Sequence, residues 1–168
     1  IVNTDADHQY PGHEIPRLIA PILSGEADMV VGDRQVQHLA HFSPLKRQLQ
    51  GLGSWVVRKV SGTRVPDVTS GFRALNREAA LRINIVTEFT YTLESIIQAG
   101  KKKLAVAHLP IAARETRPSR LFSSSWEYVK RSVAAILRIY AMYEPFKVFL
   151  LLGSALFLAG FALGVRYA

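Results

Sequence analysis

The chain has 168 residues, of which 49% are hydrophobic and 20% charged, enough for one folded core. It contains no cysteine, which excludes a disulfide framework and a thiolate metal site. The net charge of +8 favours anionic partners such as phosphates or acidic lipids. No zinc finger, basic zipper or aromatic–basic pattern accompanies that charge, so we expect no nucleic-acid partner.

The chain opens with a short apolar strand that leads into two carboxylates, Asp5 and Asp7. Residues i and i+2 of an extended chain point to the same side, so both carboxylates can address one point. This arrangement suits a hard divalent cation that completes its shell with phosphate and water, although solvated turns often carry the same pattern. An EF-hand is excluded, because Gln9 and Pro16 stand where that loop needs Asp or Asn and Glu.

Strand-like and helix-like segments alternate after the acidic pair. Apolar residues recur at helical spacing from 15 to 22, and residues 27–31 have the composition of a strand. A strand, a helix and a strand within about thirty residues predict a βαβ unit, and hence a parallel sheet with a right-handed crossover. The acidic pair would then lie beyond a strand's carboxyl end, where open α/β sheets bind ligands. Since a lone strand precedes this site, we expect the chain to be a fragment that lacks the N-terminal part of its domain.

The middle of the chain is predicted to form further helices and short strands. His38 and His41 are spaced to share a metal, but without a third ligand nearby we interpret them as loop residues. Glu94 falls at the edge of an apolar helix face, where a carboxylate is usually solvated; a position that points into a cleft is the alternative. The predicted elements are a helix over 43–62, a strand ending at Leu75, a helix over 77–82 capped by Asn76, a helix over 88–100, and a strand over 104–110 that continues to Arg114.

The apolar residues are concentrated near the C-terminus. The eighteen residues from 148 to 165 carry no charge, which is about the length that spans a bilayer's hydrocarbon core; a buried core helix is the alternative. Before them, an apolar stripe between Trp126 and Tyr140 is flanked by basic residues, which predicts a helix in the membrane interface or else a helix packed on its own domain. The basic residues ahead of the span place the preceding domain in the cytoplasm.

Four motifs, in this order, resemble one enzyme family. They are Asn-Thr-Asp-Ala-Asp-His-Gln-Tyr-Pro (3–11), Val-Val-Gly-Asp-Arg (30–34), Val-Pro-Asp-Val-Thr-Ser-Gly-Phe-Arg (65–73) and a basic loop before the membrane helix. Together they resemble the family 2 glycosyltransferases of the polyprenyl-phosphate type, the group of the dolichyl-phosphate mannose synthases and undecaprenyl-phosphate glycosyltransferases. The resemblance implies an α/β fold of the GT-A class, Rossmann-like with a mainly parallel sheet. On that basis residues 1–122 form an incomplete GT-A domain, 123–144 an amphipathic juxtamembrane helix, and 145–168 a transmembrane helix, alone or the first of several.

The resemblance also implies a set of site residues. Asp5, Asp7 and Gln9 correspond to the ligands of Mg²⁺ or Mn²⁺ on the donor diphosphate, and Asp67 to the family's active-site aspartate. The residues that would bind the acceptor phosphate are arginines: Arg34 and Arg47 first, then Arg114, Arg117 and Arg120, for which membrane-facing charge is the alternative. Gly-Asp-Arg stands here where Gly-Ser-Arg is frequent, and His8 where an apolar residue is usual.

The activity implied by the resemblance is the transfer of a sugar from a UDP- or GDP-sugar to undecaprenyl or dolichyl phosphate, for cell-envelope glycan synthesis. It would occur at the cytoplasmic face of the membrane and invert the anomeric centre if one displacement occurs. The second pKa of a phosphate monoester is about 6, so the acceptor is mostly a dianion at pH 7. We therefore expect Asp67 to orient substrates or the metal shell more than to remove a proton; a general base and a turn cap are the alternatives.

Two other functions are considered. A processive polysaccharide synthase would carry a Gln-x-x-Arg-Trp segment before its membrane helices, and Leu-Phe-Ser-Ser-Ser-Trp (121–126) stands there instead. A membrane-anchored module that only binds anionic lipid would keep the basic helix, but has no need of Asp5, Asp7 and Asp67 together. The sequence leaves the sugar, the nucleotide, the polyprenyl chain and the oligomeric state open.

Overall fold

The structure, a computed structural model, describes residues 1–35, 44–86, 91–114 and 125–167. A small α/β domain comes first and two long helices follow it. The elements are β1 (Val2–Asn3), a 3₁₀ turn (Gly12–Glu14), α1 (Ile15–Leu23), β2 (Met29–Asp33), α2 (Pro44–Ser61), β3 (Arg73–Leu75), α3 (Arg77–Arg82), α4 (Tyr91–Lys101), β4 (Val106–Pro110), α5 (Ser125–Tyr143) and α6 (Pro145–Tyr167).

The four strands form one mixed sheet in the order β1-β3-β2-β4. β2 and β4 pair in parallel, whereas β3 is antiparallel to both β1 and β2. The α/β class is therefore confirmed, but the prediction of a mainly parallel sheet is wrong for the strands that the structure describes. β1, β2 and β4 do run in one direction, yet β3 lies between β1 and β2 and makes two of the three pairings antiparallel. β3 has to run backwards because the segment before it lies at the edge where β1 and β2 end.

Apolar layers cover both faces of this sheet. Met29 and Val31 on β2 face the layer built from α2 and α4, while Val30 faces the layer that includes α1. All three are fully buried, which follows from the alternation of side chains along a strand. Full burial of such a side chain stabilises the fold by about 1.5–3 kcal/mol, so β2 is the strand around which the core is built.

Local sequence signals predicted several helix boundaries. Asn76 caps α3 as predicted, since its Oδ1 accepts from the backbone N–H of Ala79 at 2.7 Å. Pro16 lies in the first turn of α1, as predicted, and Pro21 lies inside that helix, which ends two residues later. The predicted continuation of the last strand to Arg114 is wrong, because β4 ends at Pro110 where its partner β2 ends. The predicted start of α4 at residue 88 and the pair His38 and His41 lie outside the described residues.

Glu94 is buried, contrary to the prediction that it is solvated. It is 2% exposed on α4, and both of its carboxylate oxygens accept from the backbone N–H of Val86 at 3.2 Å. Gln98 donates to Glu94 Oε1 at 3.3 Å. The helical period placed Glu94 at the edge of the apolar face, but it could not show that the 83–86 segment covers that edge.

The two C-terminal helices have different surroundings. Within the described residues, α6 is the one helix long and apolar enough to cross a membrane, with a mean hydropathy of 2.4 and none of that stretch buried in the protein. Against the part of the chain that the structure describes, α6 is therefore not a buried core helix. α5 packs against α2 while Trp126 and Leu137 remain 70% and 62% exposed. This helix therefore contacts its own domain and also presents apolar side chains outward.

Candidate functional site

All four strands bring predicted site residues to one edge of the sheet. β1 ends just before Asp5 and β2 ends just before Arg34, while β3 begins after Asp67. Because β3 is antiparallel to β1 and β2, its beginning lies beside their ends. Beyond the end of β4, the backbone N–H of Arg114 donates to the carbonyl of Gln9 at 2.9 Å. The mixed sheet thus gathers residues that are far apart in sequence.

A buried ion pair between Arg34 and Asp67 forms the centre of this edge. Arg34 Nε donates to Asp67 Oδ2 at 2.7 Å, and Arg34 Nη2 donates to Asp67 Oδ1 at 3.0 Å. The two residues are only 9% and 3% exposed. Such a two-point pair is among the stronger and more directional contacts of proteins. The sequence suggested that Arg34 faces a phosphate, and it gave no sign that this guanidinium is held by Asp67.

Thr69 and Gln9 complete what we term the arginine cluster, made of Arg34, Asp67, Thr69 and Gln9. Thr69 Oγ1 accepts from Arg34 Nη2 at 2.7 Å and donates to Asp67 Oδ1 at 3.0 Å. Arg34 Nη1 donates to Gln9 Oε1 at 3.4 Å. The side-chain oxygen of Gln9, expected to be a metal ligand, is therefore directed at Arg34.

The arginine cluster keeps Asp67 ionised. Burial raises the pKa of Asp67, but the hydrogen bonds and positive charge of Arg34, with a hydrogen bond from Thr69, outweigh it, so this pKa lies below its ordinary value of 3.8. Both carboxylate oxygens already accept hydrogen bonds. A carboxylate in this state is a weak proton acceptor at neutral pH. The geometry therefore favours an orienting role over that of a general base.

Asp5 lies against the backbone at Gly71. A Cβ atom added to Gly71 would stand 2.6 Å from Asp5 Oδ2 and 2.9 Å from Asp5 Oδ1, so glycine leaves the room that this carboxylate occupies. Partial desolvation and then the negative charge of Asp7 raise the pKa of Asp5, with Arg34 and Arg73 acting in the opposite sense. Asp7 lies in a turn and not in an extended strand. The turn, and not the alternation of strand residues, brings the two carboxylates together.

The two carboxylates fit a hard divalent cation. Asp5 and Asp7 are both exposed to solvent, and a cation would relieve the repulsion between them. Within the ranges that the structure describes, no group of three His, Cys, Asp or Glu side chains could hold a metal. A cation here would have few protein ligands and would take the others from phosphate and water, as Mg²⁺ commonly does.

Two aromatic residues of the motifs support the glycine beneath Asp5. The rings of Tyr10 and Phe72 stack with centroids 5.1 Å apart. The backbone N–H of Gly71 donates to the Tyr10 hydroxyl at 3.1 Å, and its carbonyl accepts from Asn3 Nδ2 at 2.9 Å. The motifs alone did not indicate this role, because a motif shows which residues are near in sequence and not which way they point.

Arg73 was also missed, and it anchors the segment that carries Asp67. It is 2% exposed, and desolvation lowers its pKa to about 10, which leaves it charged at neutral pH. Its guanidinium donates to three backbone carbonyls and one hydroxyl: those of Val68, Ser70 and Thr92, and Ser95 Oγ. These bonds tie the Asp67 segment to α4.

An apolar groove opens beside the arginine cluster. It lies between α2 and α5 and has a volume of about 470 Å³. Thr69, which bonds both Arg34 and Asp67, forms part of its wall. The rest of the wall is mostly apolar and includes Leu52, Trp55, Val56, Val133, Leu137 and Tyr140. The arginine cluster and the apolar groove therefore share the side chain of Thr69.

Comparison with known proteins agrees with the motifs. No model of a known protein family matches the chain. The chain is 30% identical over 119 residues to a UDP-N-acetylglucosamine–dolichyl-phosphate N-acetylglucosaminyltransferase of Methanococcus voltae, over 66% of this chain and 46% of that protein. It is 26% identical over 87 residues to an undecaprenyl-phosphate mannosyltransferase of Micrococcus luteus, over 51% of this chain and 35% of that protein. The chain is a relative of the polyprenyl-phosphate glycosyltransferases.

A third similar protein extends the matched region. The low-salt glycan biosynthesis hexosyltransferase Agl6 of Haloferax volcanii is 30% identical over 133 residues, which cover 75% of this chain and 32% of that protein. The chain thus spans less than half the length of each of these three relatives. The kinship to polyprenyl-phosphate glycosyltransferases inferred from the motifs is confirmed.

The other arginines assigned by that kinship have different positions. Arg114 is exposed and is tied to the site through its backbone bond to Gln9. Arg47 is half-buried in the second turn of α2. Arg117 and Arg120 lie outside the described residues. The structure therefore brings Arg34 and Arg114 to the sheet edge that carries Asp5 and Asp67.

Proposed function

We propose that the protein transfers a sugar from a nucleotide-sugar donor to a polyprenyl phosphate at a membrane, with the help of Mg²⁺ or Mn²⁺. The observation that carries this proposal is the place of the arginine cluster, which has the exposed carboxylates of Asp5 and Asp7 on one side and the apolar groove on the other. Such a site suits two substrates of different character, a hydrophilic diphosphate and an amphiphilic phosphate. The names of two relatives include dolichyl phosphate and undecaprenyl phosphate.

The donor would bind at the acidic end of the site. Asp5 and Asp7 would hold the cation, which when bound neutralises charge on the departing diphosphate. Gly71 fixes the position of Asp5 by leaving space for its carboxylate. Because Gln9 donates its backbone N–H to Asp7 Oδ1 at 3.0 Å, the turn that carries Asp7 is coupled to the arginine cluster.

The acceptor phosphate would enter from the groove. One of its oxygens attacks the anomeric carbon while the bond from that carbon to the diphosphate breaks, and this single displacement inverts the anomeric centre. Since a phosphate monoester is already mostly a dianion at pH 7, no strong base is required. Asp67 would hold the Arg34 guanidinium rigid beside the groove, where its positive charge attracts the phosphate. Arg114 stands at the same edge as a further cation.

The membrane would supply the acceptor and hold the enzyme in place. α6 would cross the bilayer with the α/β domain on the cytoplasmic side, and the groove between α2 and α5 would receive the isoprenoid end next to the phosphate. The apolar wall of the groove suits such a chain. The exposed apolar residues of α5 would lie in the interface between water and lipid.

The test is sugar transfer by the complete gene product in vesicles that contain undecaprenyl or dolichyl phosphate, with a panel of radiolabelled UDP- and GDP-sugars. Wild type should form a lipid that carries one sugar. Asp5→Asn and Asp7→Asn should each lower transfer by at least about 100-fold, the scale of lost electrostatic stabilisation, and stay membrane-bound. Glu26→Gln, an exposed charge removed ahead of β2 at the opposite sheet edge, is the matched control. A long polymer as product, or wild-type turnover by both Asp variants, would refute the proposal.

A further inference from the structure

A surface of lysines and exposed apolar side chains lies next to the start of α6. Lys101, Lys102 and Lys103 are exposed at the end of α4 and just after it. Leu81, Ile85 and Val86 are 77%, 41% and 68% exposed around the end of α3. We term these six residues the basic–apolar patch. Its lysines lie at the sheet edge where β2 and β4 begin, opposite the edge that carries the arginine cluster. From there the apolar segment runs back along α4, so that Val86 lies at Glu94.

The two halves of the patch are held together by hydrogen bonds along α4. Arg82 Nη2 donates to the carbonyl of Lys102 at 3.3 Å, and Lys102 Nζ donates to the carbonyl of Arg82. The backbone N–H of Asn84 donates to Gln98 Oε1 at 2.9 Å. The apolar segment therefore runs alongside the helix that ends in the lysines.

The C-terminal half of α4, which carries Gln98 and Lys101, also contacts the junction between α5 and α6. Tyr143, at the end of α5, lies beside Gln98; burial, followed by the negative charge of Glu94, raises the Tyr143 pKa, and Gln98 acts in the opposite sense. One residue later, Glu144 forms an ion pair with Lys101. Because Gln98 contacts both Asn84 and Tyr143, the patch and the start of α6 are neighbours.

The charge of this region is positive on balance. Glu144 pairs with Lys101 and with Lys147 at 3.2 Å, and Glu78 pairs with Arg82 at 3.2 Å. Glu94 is buried beneath Val86. Across the described residues of this region, the basic side chains of Arg82, Lys101, Lys102, Lys103 and Lys147 outnumber the acidic Glu78, Glu94 and Glu144.

We infer that the basic–apolar patch is a second membrane contact, which binds the headgroups of anionic phospholipids and sinks its apolar side chains among them. This inference rests on the proposed membrane attachment through α6. Lysines beside exposed apolar residues are the composition that binds anionic bilayer surfaces, and the entry of α6 places those headgroups next to Lys101. Two separate contacts would fix the tilt of the domain over the bilayer, which one helix alone does not.

Because the chain has no cysteine, one introduced cysteine can carry a single fluorophore. The full-length protein would be labelled at Val86→Cys, placed in vesicles of phosphatidylcholine with or without phosphatidylglycerol, and tested with lipids that carry a quencher in the headgroup. Emission at Val86 should shift to the blue and be quenched as phosphatidylglycerol is added. A label at Leu23→Cys, which is 78% exposed on α1 across the sheet, should stay in water throughout.

Charge variants test the chemistry of the contact. Lys103→Glu in the Val86→Cys background should abolish the response to phosphatidylglycerol, whereas Arg17→Glu on α1 should keep it. Lys103→Gly separates binding from stability. Lys103 has a φ of 55°, a conformation that favours glycine, so this variant should melt at a higher temperature and yet weaken the response by about fivefold, the effect of one basic residue at an anionic surface.

A label at Leu156→Cys on α6 distinguishes the two proposals. This label is tested with lipids that carry the quencher in the acyl chains. If these lipids quench the label at position 156 while the label at position 86 stays in water in both kinds of vesicle, the patch inference is overturned and the membrane attachment stands. If Leu156 itself remains in water, the attachment fails. A blue shift at Val86 without quenching by lipid would mean that a protein surface covers the patch, and would also overturn the inference.

Discussion

The pKa values of two acidic side chains of the site, Asp67 and Asp5, are shifted in opposite directions. At Asp67 the charge and hydrogen bonds of Arg34 outweigh burial and lower the pKa, whereas at Asp5 desolvation and the neighbouring Asp7 raise it. Asp67 therefore stabilises the fold as a carboxylate, whereas the nearby charges of Arg34 and Arg73 do not offset the effects that disfavour ionised Asp5. This difference agrees with the proposal that Asp67 shapes the site and that Asp5 binds the cation.

The Asp67 pair should be visible in the acid stability of the protein. A carboxyl group whose pKa is lower in the folded than in the unfolded state stabilises the fold above its unfolded pKa of about 4, and this stabilisation disappears as the pH falls through the folded value. Asp67→Asn should destabilise the fold at pH 7 by about 3 kcal/mol, since it leaves Arg34 buried without its counter-charge. Its stability should then fall less steeply than that of wild type below about pH 4. Thermal melting between pH 3 and pH 7 measures both effects, and parallel profiles for the two proteins would contradict the assignment.

A substitution at Gly71 should weaken cation binding because it displaces the Asp5 carboxylate, and not because it distorts the backbone. The Cβ of Gly71→Ala meets the end of a flexible side chain, so the fold should survive while the Asp5 carboxylate moves. Ligand binding stabilises a fold in proportion to the logarithm of ligand excess, so Mn²⁺ should raise the melting temperature of wild type. We expect Gly71→Ala to lose most of this Mn²⁺ effect and at least about tenfold in transfer rate. Gly12→Ala, whose Cβ meets nothing within 4 Å, is the control; an unchanged Mn²⁺ effect in Gly71→Ala would count against Asp5 as a ligand.

At the scale of elements, the sequence predicted which segments are strands and helices better than how they pair. The apolar run of β2 and the cap at Asn76 have local causes, and both were predictable. The insertion of β3 between β1 and β2 has no local cause, because it depends on where the preceding segment is tied down, chiefly by Arg73. For the same reason the Arg34–Asp67 pair was not foreseen: its partners are thirty-three residues apart, and periodicity carries no information on such contacts.

A side chain at Gly100 should destabilise the crossing of α2 and α4. A Cβ there would stand 2.0 Å from the carbonyl oxygen of Ser61, so the helices would have to separate. Helix propensity alone favours alanine by about 1 kcal/mol, but overpacking of a core contact costs about 1–3 kcal/mol. We therefore expect Gly100→Ala to lower the free energy of unfolding by about 1–2 kcal/mol, as measured by chemical denaturation. A neutral or stabilising effect would show that the two helices are not in close contact.

At the scale of the whole molecule, the arginine cluster and the helix that precedes α6 meet along the groove. The chain supplies an acidic end, an arginine cluster and an apolar groove, and its relatives are more than twice as long as the matched region. Charge and hydropathy predicted the helices α5 and α6. For α6 the signal is strong, because an uninterrupted stretch of eighteen uncharged residues is typical of a long apolar helix. The groove could not be predicted, since it arises from the packing of α5 on α2, two helices that are distant in sequence.

The groove should govern acceptor use separately from donor use. Val133→Trp would fill it from α5, so the KM for polyprenyl phosphate should rise about tenfold or more while the KM for the nucleotide sugar stays unchanged. Ala134→Trp, one position further around α5 on an exposed site, adds the same bulk outside the groove and is the matched control. Equal acceptor kinetics for the two tryptophan variants would argue that the lipid chain binds elsewhere.

The ion pair of Glu144 with Lys101 fixes the C-terminal end of α5 to the domain, so the length of α5 determines how far the groove lies from the start of α6. The far end of α5 is tied to Lys101, its earlier turns wall the groove, and its 19 residues span about 28 Å at the usual helical rise. On the proposed attachment, with α5 lying in the interface, the distance along the membrane from the start of α6 to the phosphate would be set by a count of helical turns and not by a flexible tether. Lengthening α5 by one turn should displace the phosphate seat by about 5 Å, and transfer would be lost with every catalytic side chain still in place.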